Sequence, residues 1–181
     1  MPEDSVPQLR LGFSRFDDLA PPESVDGYGL RTFRPGDEDA WVAILNTAGF
    51  GDWDRARIDR MLSGDRAPLP YEGIFFATHR DATHGDALVG ALCTFFYRYE
   101  TPPAAEIGWV AVLPEHRGRR LARMICAAAL NFIRDRHYTY AFLKTEPYRT
   151  AAIKTYLALG FEPEYVHPSH EQWWHDFQRV T

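Results

Sequence analysis

The sequence predicts an α+β fold: a twisted mixed sheet of about six to seven strands with about four helices. Three observations support this class. One long segment, Arg119–Arg136, has the apolar period of an amphipathic helix. Two apolar runs within residues 73–97 are separated by a polar turn, as in a hairpin. Strand and helix patterns then alternate to residue 166, which is typical of strand–helix–strand units.

The elements follow one another without a linker between residues 28 and 166. Short β-rich runs predict the strands, and Gly or Asp residues at the ends of polar-apolar repeats limit the helices. The predicted strands are Tyr28–Phe33, Gly73–Thr78, Ala87–Tyr97, Ala104–Leu113, Tyr138–Thr145 and Phe161–Val166. The predicted helices are Asp37–Ala48, Asp52–Ser63, Arg119–Arg136 and Thr150–Leu159.

The helix over Arg119–Arg136 is the clearest of these elements. Its apolar side chains recur at intervals of three and four residues, which places them on one face. That face comprises Leu121, Met124, Ile125, Ala128, Ala129, Phe132 and Ile133.

Both ends of the chain read as less regular. Residues 1–27 are rich in Pro, Asp and Glu and predict an irregular N-terminal arm or a short edge element, so the domain is placed at residues 28–181. The C-terminal end is an aromatic tail with Trp173, Trp174 and Phe177.

Composition bounds the function. The chain has 181 residues, 45% of them hydrophobic and 14% aromatic, which suits one folded domain. A net charge of −5 gives no support for a nucleic-acid-binding protein. The sequence contains no run of 18 apolar residues, so no membrane span is predicted. Residues 1–10 lack the features of a signal peptide. With two cysteines, Cys93 and Cys126, the expected compartment is the reducing cytoplasm.

The charge is unevenly distributed along the chain. Residues 1–113 carry 10 basic and 18 acidic side chains, whereas residues 114–149 carry 8 basic and 3 acidic ones. The basic segment includes a strand-to-helix turn with Arg117, Gly118, Arg119 and Arg120. Unpaired N–H groups and the dipole at a helix start favour phosphate, so a diphosphate-bearing ligand fits this turn. The alternative is an ordinary turn with solvated arginines.

Other motifs for chemistry are missing or poorly spaced. His170 and His175 are five residues apart, which does not place two imidazoles on one helix face, so no metal site is expected. The sequence contains no G-x-S-x-G, Walker or G-x-G-x-x-G motif.

The turn resembles a known family signature. VLPEHRGRRLA, residues 112–122, is similar to the acetyl-CoA-binding signature Q/R-x-x-G-x-G/A of the GNAT superfamily of N-acetyltransferases. Arg117 matches its first position and Ala122 its last, while Arg120 replaces the usual Gly. Because Arg tolerates a positive φ poorly, we expect a right-handed conformation at Arg120.

A second segment carries the same resemblance. TEPYRTAAIKTYLALGF, residues 145–161, is similar to the family's N-x-x-A-I-x-x-Y-x-x-x-G-F segment. Ala152, Ile153, Tyr156 and Gly160 match, whereas Arg149 replaces the Asn that often contacts the cofactor. The two segments are separated by one helix and one strand, as in the family.

The resemblance implies a GNAT-like domain that uses acetyl-CoA as co-substrate between the strands 104–113 and 138–145. Exposed backbone of the first strand, around Val110 and Val112, would pair with the pantetheine amides. The cofactor-binding residues implied in this way are Val110, Val112, Arg117, Gly118, Arg119, Arg120, Leu121, Ala122 and Arg149.

Two residues have implied catalytic roles. Glu106, on the parity of Gly108, Val110 and Val112, would accept the amine proton through water; alternatively it is a strand-end Glu paired with an Arg. Tyr156 matches the family's general acid and would hydrogen-bond the leaving thiolate; alternatively it packs on the sheet with its hydroxyl in solvent.

The acceptor remains open at this point. The implied reaction is transfer of an acetyl group to the primary amine of a small molecule or a peptide, without a metal, nucleic acid or membrane. Acidic residues in 37–64 would suit a cationic amine, or would simply cap helices. Aromatic residues such as Trp53, Tyr99 and Tyr165 fit a pocket, the core or a homodimer contact. An inactive CoA-binding regulatory module and an interaction domain using the aromatic tail are the alternatives.

Overall fold

The computed structural model describes residues 7–64, 69–81, 85–99 and 101–179. These residues form one seven-stranded mixed sheet with the order β2-β3-β4-β5-β6-β1-β7. The strands are β1 Leu9–Phe13, β2 Tyr28–Thr32, β3 Ile74–Asp81, β4 Gly85–Tyr97, β5 Ala104–Val112, β6 Ala141–Thr145 and β7 Glu162–Glu164. The α-helices are α1 Glu38–Thr47, α2 Arg55–Leu62, α3 Leu121–Asp135, α4 Thr150–Ala158 and α5 Pro168–Arg179. The predicted α+β class is confirmed.

Two apolar cores lie on the two faces of the sheet. The helix α3 packs on β3, β4 and β5, and nine of its 15 residues are buried, as the stripe predicts. The helices α1 and α2 cover the opposite face through Trp41, Ile44, Leu45 and Ile58. The strands β4 and β5 are therefore covered on both faces, with one core on each side.

The prediction of an irregular arm or edge element is wrong for residues 9–13. They form β1, which pairs antiparallel with β6 on one side and with β7 on the other. Leu9 and Leu11 are fully buried, while Arg10 and Gly12 lie on the other face. A Cβ at Gly12 would overlap the carboxylate of Glu164, which would then have to move away from its ion pair with Arg10. The alternation is only five residues long and follows a Pro-rich stretch, which hides it in the sequence. Residues 1–6 lie outside the described part.

The aromatic tail also has a regular structure. Pro168 begins α5, and His170, Trp174 and Phe177 are buried at helical spacing on one face. Trp174 and Phe177 belong to the core beneath α3 and α4. Tyr99 and Tyr165 are exposed and do not line the cavity described below, so they belong to neither the core nor that pocket.

Several boundaries differ from the predicted ones. The strand β3 continues to Asp81, into the segment predicted as a polar turn, whose residues 82–84 lie outside the described part. The strand β6 begins at Ala141 instead of Tyr138, because His137 adopts a left-handed conformation after α3. The helix α3 begins at Leu121, since residues 117–120 form a loop.

Candidate active site

The site is centred on a β-bulge in β5. Gly108 pairs with Cys93 and Ala111 with Ala91, so Trp109 and Val110 together face one residue of β4. Trp109 has a φ of 48°, and its ring is held edge-on by Trp53 and Phe95 at centroid distances of 5.2 and 5.4 Å. A bulge bends a strand and re-aims its side chains, so β5 turns here.

The bulge corrects the predicted parity of Glu106. Before it, Ile107 belongs to the core beneath α3 and Gly108 faces Phe95 and Cys93 in the other core. After it, Val110 and Val112 pack on the α3 side. Glu106, which shares the parity of Gly108, therefore lies on the opposite face from Val110 and Val112. The extra residue in β5 reverses the alternation on which the prediction depended.

The strands β5 and β6 diverge beyond the bulge. They pair in parallel only at residues 105–107 with 141–143, although both strands continue. A cavity of about 750 Å³ opens at the divergence. It is lined by Gln8, Gly49, Phe50, Phe95, Tyr97, Glu106, Ile107, Gly108, Trp109, Val110, Lys144, Thr145, Glu146, Tyr148, Arg149, Ala152 and Tyr156. The segment 108–112 thus has no strand partner on the β6 side within the described residues.

The loop before α3 forms a backbone anion site. The N–H groups of residues 118–123 have no hydrogen-bond acceptor within the described part of the chain. Gly118 and Arg120 have φ values of 75° and 63°. Left-handed residues in such a loop turn successive N–H groups toward one point, which creates a concavity for an anion. An array of this kind favours an anionic group such as a phosphate.

The conformation predicted for Arg120 is wrong. Arg120 is the N-cap of α3 and adopts the left-handed conformation, with ψ at 16°. The backbone geometry usual for Gly at this position is therefore kept by an Arg, at a steric cost. The side chain is 77% exposed, with its Nη1 4.0 Å from a Glu23 carboxylate oxygen.

The other predicted cofactor residues surround this loop in different ways. Arg117 donates from Nε to the carbonyl of Val112 at 3.0 Å, which ties the loop to the end of β5. Arg119 lies over the ring of Tyr28, 5.9 Å from its centroid. The side chain of Leu121 is in the core, so only its backbone faces the loop. Ala122 follows in the first turn of α3.

Glu106 is held in place at both carboxylate oxygens. The Tyr97 hydroxyl donates to Oε2 at 2.7 Å, and Lys144 Nζ lies 3.5 Å from Oε1. The side chain is 16% exposed and lines the cavity. The alternative interpretation of Glu106 predicted a pairing with an Arg. The structure has such a cationic partner, but it is a Lys, and the carboxylate still faces the cavity.

Tyr156 lies on the other wall of the cavity, on α4. It is 5% exposed and packs against Phe161 with ring centroids 6.1 Å apart. Burial raises the pKa of Tyr156 well above its usual value, and the charge of Arg149 offsets only part of this effect. The phenol therefore stays protonated throughout the physiological range and acts as a hydrogen-bond donor.

Arg149 lines the cavity and contacts the loop that follows α1. Its Nη2 donates to the carbonyl of Gly49 at 3.1 Å, and its guanidinium stacks 4.1 Å from the ring centroid of Phe50. The residue at the family's Asn position therefore joins the start of α4 to the loop between α1 and α2.

The acidic residues of α1 and α2 are engaged locally. Asp37 forms two hydrogen bonds of 2.7 Å with Arg31, which lowers the pKa of its carboxyl group. Asp54 caps α2 by accepting from the Arg57 amide at 2.7 Å. Glu38 lies 3.3 Å from Arg55. None of these three lines the cavity, which favours the helix-capping interpretation over an acidic acceptor wall; Asp65 lies outside the described residues.

Sequence reasoning missed several lining residues. Tyr97, Lys144 and Glu146 reach the cavity only because β4, β5 and β6 are neighbours. Gln8 reaches it from the position directly before β1, which lies outside both family segments. Signals for these positions would have required the strand order, which a single sequence does not contain.

The described residues show neither a metal-binding group nor a membrane-spanning helix. No group of three His, Cys, Asp or Glu residues among them is arranged to hold a metal ion. No helix in the described ranges has the length and apolar character needed to cross a membrane.

The mixed sheet in which β5 and β6 diverge, followed by the loop before α3, matches the GNAT-like fold that the two sequence segments imply. The family model described as "Acetyltransferase (GNAT) family" matches residues 38–161, and the chain belongs to this family.

The sequence relatives of this chain carry acetyltransferase names. Mycothiol acetyltransferase from Nocardia farcinica is 35% identical over 146 residues, covering 78% of this chain and 47% of that protein. The Rhodococcus erythropolis protein of the same name is 33% identical over 150 residues, covering 78% and 48%. The chain thus spans about half the length of these curated relatives.

Solved structures show the same fold. A GCN5-related N-acetyltransferase from Sphaerobacter thermophilus superposes with a TM-score of 0.70 at 24% identity, covering 87% of this chain and 48% of that one. An aminoglycoside N-acetyltransferase in complex with CoA gives 0.61 at 20% identity, covering 82% and 96%.

Proposed function

We propose that this chain is an acetyl-CoA-dependent N-acetyltransferase that acts on the primary amine of a small molecule. The observation that carries the proposal is the divergence of β5 from β6. It opens one cavity that contains a carboxylate, Glu106, and a buried phenol, Tyr156. The loop with the free N–H groups of 118–123 follows the end of the same strand, β5. Membership of the family supports the same reaction.

The anion loop and strand β5 bind and orient the co-substrate in this proposal. Acetyl-CoA supplies the activated acyl group as a thioester. The N–H groups of residues 118–123 donate to its diphosphate, and Arg117, Arg119 and Arg120 add positive charge. The unpaired backbone near Val110 and Val112 offers hydrogen bonds to the pantetheine amides.

Glu106 accepts the proton of the amine, and Tyr156 donates a hydrogen bond to the leaving group. The acceptor amine attacks the thioester carbonyl as a neutral base, so one proton has to leave its nitrogen. Glu106 accepts that proton through a water molecule. Tyr156 donates a hydrogen bond to the thiolate that leaves, and because burial raises its pKa so far, it stabilises the sulfur charge instead of surrendering its proton.

The test is an amine panel with release of the CoA thiol as the readout. The panel contains deacetylated mycothiol, because the curated relatives are mycothiol acetyltransferases, together with 1,4-diaminobutane, tyramine and glucosamine. The proposal expects thiol release that depends on one of these amines. Tight binding of acetyl-CoA without turnover on any amine would instead favour the inactive regulatory module.

A further inference from the structure

The cavity contains a second carboxylate, Glu146, which follows β6. Its Oε1 accepts a hydrogen bond from the Gln8 amide nitrogen at 2.8 Å. The register of β1 and β6 places the two residues opposite each other, one position beyond the pair Leu9 and Thr145. Gln8, the residue directly before the N-terminal strand, therefore contacts Glu146 through a hydrogen bond at the exposed side of the cavity.

The two carboxylates of the cavity differ in their electrostatic partners. Glu106 has Lys144 at 3.5 Å and the Tyr97 hydroxyl at 2.7 Å, so its charge is largely balanced. Glu146 has a neutral amide as its hydrogen-bond partner and no cationic group within 4.0 Å among the described residues. Arg149, three residues later, directs its guanidinium to the carbonyl of Gly49 instead.

This difference matters for an amine substrate. A primary alkylamine arrives as an ammonium ion at neutral pH, because its pKa resembles that of Lys. A carboxylate already paired with Lys144 attracts that ion weakly, whereas an unbalanced carboxylate attracts it strongly. The amine then has to lose its proton, a step for which Glu106 is placed.

We propose that Glu146, oriented by Gln8, is the site that binds the ammonium group of the acceptor, and that Glu106 serves deprotonation. The inference rests on the proposed function and adds the substrate class: amines that are cationic before they react. The division of labour assigns binding to one carboxylate and proton transfer to the other.

Steady-state kinetics at saturating acetyl-CoA test this assignment, with the panel amine that the wild type acetylates. Glu146→Gln keeps an oxygen for the Gln8 amide but removes the charge. We expect the KM for the amine to rise about tenfold or more, with kcat and the KM for acetyl-CoA changed less than about threefold. Glu106→Gln should show the reverse pattern, a fall in kcat with little change in the KM for the amine.

Two further variants separate binding from structure. Gln8→Leu breaks the hydrogen bond but leaves the charge, so its KM should rise less than that of Glu146→Gln. Glu162→Gln removes an exposed carboxylate of β7 outside the cavity and should match the wild type. An unchanged KM in Glu146→Gln, or a larger effect in Gln8→Leu, would overturn the assignment while leaving the proposed function intact. A wild type that acetylates no panel amine would remove the proposed function, and the inference with it.

Discussion

Because the backbone of Arg120 is left-handed, we predict that the Arg120→Gly variant of the protein is more stable than the Arg120→Ala variant. Arg120 has a φ of 63° directly before α3. A residue with a Cβ pays about 1–2 kcal/mol for this conformation, whereas glycine pays none but loses about 0.5–1 kcal/mol more backbone entropy on folding. With the middle of each range, the difference favours Arg120→Gly over Arg120→Ala by about 0.75 kcal/mol.

The comparison isolates the backbone. Both variants remove the same side chain and the same long contact with Glu23, which is exposed and contributes little. In the interior of a helix the order is reversed, with alanine favoured by about 1 kcal/mol. Urea unfolding of the two variants measures the difference, and a thermal scan should show the glycine variant melting about 1–4 °C higher. An alanine variant as stable as the glycine variant, or more so, would refute the left-handed geometry and the N–H array built on it.

Three further predictions address the fold and the site. Leu11→Ala in β1 should lower the free energy of unfolding by about 2–5 kcal/mol, whereas Leu30→Ala on the exposed edge strand should cost less than about 1 kcal/mol; equal losses in urea titrations would contradict the central position of β1. Tyr156→Phe should lower kcat about 10- to 100-fold with an unchanged KM for acetyl-CoA, as expected for a lost hydrogen bond to a developing charge; full activity in the steady-state assay would exclude the thiolate role. Burial raises the pKa of Cys126 from 9.0 to about 12, so the folded state holds a proton that the unfolded state releases, and stability should decline as the pH rises from about 9 toward 12; Cys126→Ala should flatten that limb in urea titrations across the range.

The elements with long or repeated patterns were predictable from the sequence. The stripe of α3 runs from Leu121 to Ile133 and is visible as a periodicity, and both family segments lie on contiguous stretches. The strand β1 was not predictable in the same way. Five alternating residues behind a Pro-rich stretch give little signal, and the burial of Leu9 and Leu11 depends on β6 and β7, which are far away in sequence.

The site shows the same division. Tyr156 and Arg149 could be identified by their spacing in a family segment, and Glu106 by its place on the strand that leads into the other segment. Their partners could not, since Lys144 and Gln8 reach the cavity through strand neighbours. The bulge at Trp109 has no signal in the sequence, yet it determines which face Glu106 occupies.

The most direct test of the central claim is mass analysis of the amine panel after incubation with wild-type protein and acetyl-CoA, with Tyr156→Phe in parallel. We predict that at least one amine gains a single acetyl group, in an amount equal to the CoA thiol released. We also predict that Tyr156→Phe slows acetylation of the amine and release of the thiol together. Binding of acetyl-CoA with no acetylated amine, or thiol release without any acetylated product, would contradict it.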